Sequence, residues 1–210
     1  MSNFKTAVTQ SIRPALSLLV ILTVLTGLAY PALITGISQA LWADKANGSL
    51  IHKQDKAIGS SLIGQSFTDP AYLWGRPSAT ATTPYNGQAS GGSNLGPLNP
   101  DLAKAIQDRI AVLQKADPSN SAIVPIDLVT ASGSGLDPEI SPAAAEYQVA
   151  RIARLRGLTA AQVQAVITQH TQGPQAGLFG ETRVNVLLVN LALDQLAPAT
   201  KTVAVTTAHS

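Results

Sequence analysis

The chain has 210 residues, 45% of them hydrophobic and 4% aromatic, with no cysteine, so it neither rests on disulfides nor offers a thiol for redox chemistry. Its formal charge is +2, but the excess is Lys5 and Arg13 alone, and from Asp44 onward acids and bases are equal in number. A balanced body has no field to hold phosphates, which argues against nucleic-acid binding.

Between Arg13 and Asp44 there is no charged residue. Leu16 to Gly36 is a run of 21 mostly apolar residues, and a helix needs roughly 20 to cross a hydrocarbon core of about 30 Å. A transmembrane anchor is expected, carried by Leu16, Leu19, Ile21 and Leu25, with Tyr30 and Trp42 at headgroup level. Pro31 should bend the helix or end its lipid-exposed part, with Ile34 to Leu41 following as an interfacial turn. A cleaved signal peptide is the rival reading, since Lys5 and Arg13 form a basic leader and Ser38-Gln39-Ala40 has small residues. Signal cores run about 7–15 residues, whereas the uncharged run Pro14 to Leu41 has 28. A buried soluble helix would keep a polar face, and this one has only scattered Ser and Thr. The basic N-terminal flank predicts a cytoplasmic N-terminus. The expected organisation is therefore a cytoplasmic N-terminus (1–13), a span with its interfacial turn (14–41), one extracytoplasmic α/β (α+β) domain of several helices on a small sheet (42–197), and a loose tail (198–210).

Beyond Trp42, the turn Asn47-Gly48 should open a short strand at Leu50-Ile51, and Ala57 to Phe67 suits a strand interrupted at its glycines. Gly59 to Ser66 has the glycine spacing of a phosphate-binding loop, but Gln65 stands where the lysine is required, so chance spacing is the plainer reading. Residues 68–100 hold five prolines and cannot form a long helix. The interleaved Tyr72, Leu73, Trp74, Tyr85 and Leu95 predict an ordered loop rather than a linker. Arg76 is either a carboxylate clamp or a donor to backbone carbonyls.

Asn99-Pro100-Asp101 is a helix start, and Leu102, Ile106, Ile110 and Leu113 recur at helical spacing up to Asp117-Pro118. Ile123 to Val129 reads as a central strand, emptying into the polar loop 130–138. Ser132 or Ser134 in that loop could serve a hydrolase with His52, His170 or His209, although neither serine lies in a G-x-S-x-G elbow; otherwise they cap backbone groups. A helix over Pro142 to Arg156 should stop at Gly157. A second helix over Ala160 to Gln172 starts from a Thr159/Gln162 capping box with a Leu158 to Val163 staple. Val184 to Leu196, with Asn185 as N-cap and Leu188, Val189, Ala192 and Leu196 on one face, is the expected core helix.

The words Arg13-Pro14-Ala15, Asn47-Gly48-Ser49-Leu50-Ile51, Gly75-Arg76-Pro77-Ser78-Ala79-Thr80, Gln88-Ala89-Ser90-Gly91-Gly92-Ser93-Asn94-Leu95, Ser134-Gly135-Leu136-Asp137 and Asn190-Leu191-Ala192-Leu193-Asp194 resemble, in order and over almost the full length, the C subunit of the Kdp-type ATP-driven potassium transporter. The stretch after Leu196 departs from the pattern by running on. The resemblance implies a single-pass, non-catalytic subunit of an inner-membrane complex, beside a channel-like potassium-translocating subunit and a P-type ATPase subunit. It implies a catalytic chaperone that raises the ATP affinity of the ATPase subunit, and ATP binding is attributed to the family on that account. The residues offer no phosphate cradle, so no cofactor is expected on this chain directly, with ATP and potassium used by the complex. Candidate partner-contact residues lie in the two long loops: Arg76, Tyr85, Asn86, Ser90, Asn94, Ser132, Ser134 and Asp137. The competing class is an exported, membrane-anchored serine hydrolase.

Overall fold

The computed structural model describes residues 2–197; the expected loose tail and His209 lie outside them. The described chain divides between Leu50 and Ile51 into two units.

The first unit is helical. Helix α1 (Ser2–Val24) passes through one π-helical turn (Leu25–Ala29) into α2 (Tyr30–Ala46). Pro31 explains that turn. It has no N–H, and its ring would strike the carbonyl four residues earlier; widening the preceding turn, with the Tyr30 N–H donating to the Leu25 carbonyl, relieves the clash. Pro31 therefore does not end the helix, and Ile34 to Leu41 is regular α-helix rather than an interfacial turn. The break comes at Trp42, whose φ of −144° is non-helical. Across it Gln39 and Asn47 exchange side-chain hydrogen bonds of 3.0 and 3.2 Å. Residues Ser11–Ala46 form one helix long and apolar enough to cross a membrane. Leu16, Leu19, Ile21, Leu25, Tyr30, Pro31 and Trp42 are exposed in it, as lipid-facing side chains would be.

The second unit is mixed α/β. Strands β1 (Leu50–Lys53) and β2 (Lys56–Ser60) form a two-stranded sheet, and β2 ends at Ser60 rather than running on to Phe67. Helix α3 (Pro100–Ala116) begins as expected: the Asn99 side chain accepts the Asp101 N–H. Ile123 to Val129 is not a strand. Pro125 has no N–H for a ladder, the Asp127 carboxylate is drawn to the Ser141 N–H at 2.7 Å, and Ile126–Leu128 closes into a single 3-10 turn that buries Leu128 and leaves Ile123 exposed.

Strand β3 (Glu139–Ile140) leads into α4 (Pro142–Glu146) and α5 (Val149–Arg156), which were expected as one helix. The helix tightens at Gln148, whose N–H bonds the Ala145 carbonyl, because its side chain is committed elsewhere, as shown below. Gly157, at φ +66°, caps α5 in the left-handed conformation, and the full Thr159/Gln162 capping box starts α6 (Ala160–Gln169). The helix stops short of Gln172 because Thr171–Gln172 forms β4. Strand β5 (Arg183–Asn185) takes the centre of a three-stranded antiparallel sheet, pairing Ile140 and Thr171 with Val184.

Asn185 then caps α7 (Val186–Leu196) by accepting the Leu188 N–H at 3.0 Å. The buried face of α7 is Val186, Leu187, Val189, Asn190 and Leu193; of the predicted face Val189 is buried and Ala192 packs against the core, whereas Leu188 is only half-buried and Leu196 is exposed. Leu73, Leu128, Ile152, Val163, Val184, Val189 and Leu193 form the centre of the core. Each such aliphatic side chain contributes about 1.5–3 kcal/mol by leaving water.

Candidate functional site

The long proline-rich segment owes its order to buried polar side chains of the helices. Asn190 accepts the Leu73 N–H at 2.8 Å and donates to the Leu73 carbonyl at 2.9 Å. Gln148 does the same for Trp74, at 2.9 and 3.1 Å. Two amides thus stand in for a neighbouring strand, satisfying a buried backbone that has no sheet to join. Arg151 donates to the carbonyls of Pro70 and Tyr72 and lies 4.6 Å from the Trp74 ring centre. Arg156 donates to the Ala71 and Ala197 carbonyls, pairs with Asp194 at 2.9 Å, and stacks on Tyr72. Desolvation lowers the Arg151 pKa to about 10, and the guanidinium still carries its proton at neutral pH.

On that foundation residues 76–91 and 131–137 lock together. Arg76 reaches both the Asp137 carboxylate and the Ala131 carbonyl at 3.4 Å, so it is at once a carboxylate clamp and a carbonyl donor. The Tyr85 hydroxyl donates to the Arg76 carbonyl at 2.6 Å, and its pKa is raised, chiefly by burial. Ser78 donates to the Gly135 carbonyl at 2.7 Å and accepts the Tyr85 N–H. Thr80 accepts the Asn86 N–H. The Ser90 hydroxyl and the Gly91 N–H both donate to the Ser134 carbonyl, and the Ser132 N–H to Pro77. Asn94 sits at the far end of the same loop with a left-handed φ of 54°.

Gly135 is the keystone. Its φ is +69°, and a Cβ there would come within 2.5 Å of Thr80 Cγ2 and 2.7 Å of the Gly91 carbonyl oxygen. Gly64 is as closely held, against Tyr85 and the Asp137 carbonyl oxygen, and donates its N–H to Leu136. The phosphate-loop lookalike is thereby accounted for: Gly64 admits the neighbouring loop, and Gln65 donates to the Ile58 carbonyl at 2.8 Å.

The candidate residues Arg76, Tyr85, Asn86, Ser90, Ser132, Ser134 and Asp137 are thus brought into one hydrogen-bonded surface. Ser78 and Gly135, whose hydrogen bond binds the two loops to each other, were not among the candidates read from sequence; partners 57 residues apart leave no local signal. The serines bond backbone. Ser132 is buried and accepts the Gly135 N–H at 2.9 Å, and Ser134 accepts the Leu136 N–H at 3.1 Å, which is the capping role and gives the hydrolase alternative no support. His170 closes α6, and its carbonyl accepts the Asn185 N–H. Among the described residues no group of three or more His, Asp or Glu is placed to hold a metal ion.

Residues 12–195 match the family model described as K+-transporting ATPase, c chain. The chain is 62% identical over 188 residues to the potassium-transporting ATPase KdpC subunit of Variovorax paradoxus (strain S110), covering 90% of this chain and 97% of the relative. It is 60% identical over 187 residues to that of Polaromonas naphthalenivorans (strain CJ2), covering 89% and 95%. The subunit of Sorangium cellulosum (strain So ce56) is also 60% identical, over 183 residues, 87% of this chain and 96% of the relative. Identity at this level over nearly the whole of both chains means that the chain belongs to the family of K+-transporting ATPase c chains, accessory subunits of a potassium-transporting ATPase complex.

Proposed function

We propose that this chain is a non-catalytic, single-pass inner-membrane subunit that stabilises the potassium-uptake assembly. Its N-terminus is cytoplasmic and its α/β domain extracytoplasmic, at the outer mouth of the potassium path. It acts as a chaperone for the P-type ATPase subunit, raising that subunit's ATP affinity through the assembly rather than by holding ATP itself. The observation that carries this reading is the interlocked surface of residues 76–91 and 131–137. Long loops usually cost order; here buried Asn190, Gln148, Arg151 and Arg156 hold the preceding segment still, and Arg76, Ser78 and Ser90 hold the two loops to each other. A stiff, polar, solvent-facing surface with no chemistry of its own suits docking to a partner, since little ordering entropy remains to be lost on binding. The helix ahead of it, uncharged from Pro14 to Ala43, supplies the anchor. Direct ATP binding lacks a physical route, because the glycines that mimic a phosphate loop are packed against Tyr85 and Gln65.

Site-specific crosslinking from Asn86 and Ser134 in the intact complex tests the placement. Capture of the channel-like subunit is expected; capture of only the cytoplasmic ATPase domains would overturn it. A titration of ATPase activity against ATP, with and without this subunit, tests the chaperone role: the half-saturating ATP concentration should rise when it is removed.

A further inference from the structure

One face of α3 borders a groove of about 350 Å³, lined by Pro77–Ala79, Leu95, Leu102, Val112, Val129 and Ala131. It holds one cation that the fold does not use. Arg109 lines the groove, its Nε is buried without a hydrogen-bond partner, and no carboxylate among the described residues pairs with it. The adjacent Asp108 is taken by Lys104, one helical turn away. Burial lowers the Arg109 pKa, opposed only by Tyr85, so the partial desolvation of this guanidinium has no carboxylate to offset it.

We propose that this groove receives an apolar segment of a partner subunit of the same complex, and that a carboxylate on that segment pairs with Arg109. Charge complementarity selects the occupant. The lining is mostly apolar with a single cation that has no ion-pair partner, a combination that suits an apolar segment bearing one carboxylate. A volume of about 350 Å³ takes one or two side chains rather than a whole element. Val112 is 46% exposed, so the apolar lining is open to solvent where a partner would cover it. Pro77–Ala79 and Ala131 of the lining belong to the two interlocked loops, so this inference rests on the assembly reading above and gives that contact its anchor.

The test uses the full complex. A photo-crosslinking amino acid at position 112 is expected to capture a partner subunit through a segment containing Asp or Glu; capture of lipid alone, of this chain alone, or of nothing from an intact complex would overturn the proposal. In parallel, Arg109→Glu should lower the partner subunits recovered with the tagged full chain by about tenfold, with Arg109→Lys retaining most of them. Recovery with Arg109→Glu equal to wild type would sink the groove alone, whereas a wild-type chain that recovers no partner would sink the assembly reading itself. If Arg109→Glu does not fold, as judged by its melting curve, the crosslink at position 112 in the otherwise unchanged chain decides.

Discussion

The side-chain amide of Asn190, on the last helix, exchanges two hydrogen bonds with the backbone of Leu73, 117 residues earlier. Both residues are fully buried. The pair joins a loop with no secondary structure to the core as a strand would, and most of the candidate surface depends on it.

Asn190→Ala should therefore leave the Leu73 N–H and carbonyl buried and unpaired. A loss of about 2–5 kcal/mol is expected in urea unfolding of the purified chain, more than the side chain's size would suggest. Asn190→Asp should restore little, since a carboxylate accepts the N–H but cannot donate to the carbonyl.

Arg156 is buried and Arg154, on the same helix, is half-exposed, although each has an aspartate partner at 2.9 and 2.8 Å. Arg156→Lys should cost more than Arg154→Lys in thermal unfolding, because an ammonium cannot reach the Ala71 carbonyl, the Ala197 carbonyl and Asp194 together. The expected difference is about 2 kcal/mol.

Gly135→Ala should destabilise by about 1–3 kcal/mol, through the left-handed backbone and the contact with Thr80. Gly133→Ala, two residues earlier with open space around it, should be nearly neutral. If the surface is what partners read, only the first should reduce crosslinking from Ser90.

The pKa of His170 is lowered from 6.5 by burial, so the folded chain holds this ring neutral more firmly than the unfolded chain does. As pH falls below about 6.5 the unfolded state takes up the proton first, and stability is lost until the folded ring also titrates. His170→Gln should flatten that part of the stability profile, measured by urea midpoints between about pH 7 and pH 5.

Replacing Pro31 by Ala returns an N–H to the helix and removes the clash behind the π-helical turn. Spin labels on cysteines introduced at Leu19 and Ala40 of the otherwise cysteine-free chain should then report a changed separation in detergent. An unchanged distance would mean that the wide turn has another cause.

What was legible in the sequence was local. Asn99, Thr159 and Asn185 cap helices and Gly157 ends one, as their spacing predicts, because a cap needs only a backbone N–H two or three residues away. The uncharged run from Pro14 to Leu41 determined the long apolar helix by composition alone. Three features needed the tertiary structure. Ile123 to Val129 has the pattern of a strand, but Asp127 finds Ser141 across the fold, and a β-branched run cannot signal that. The buried face of α7 is rotated because Asn190, polar in any periodicity count, turns inward to Leu73. Arg151 and Arg156 look like dipole-complementing charges at a helix end, yet they hold a loop whose carbonyls lie some eighty residues earlier. Caps and spans are decided within one turn or one solvent. The surface on which the function is argued is decided by which buried polar group meets which backbone, and that is known only once the chain has closed on itself.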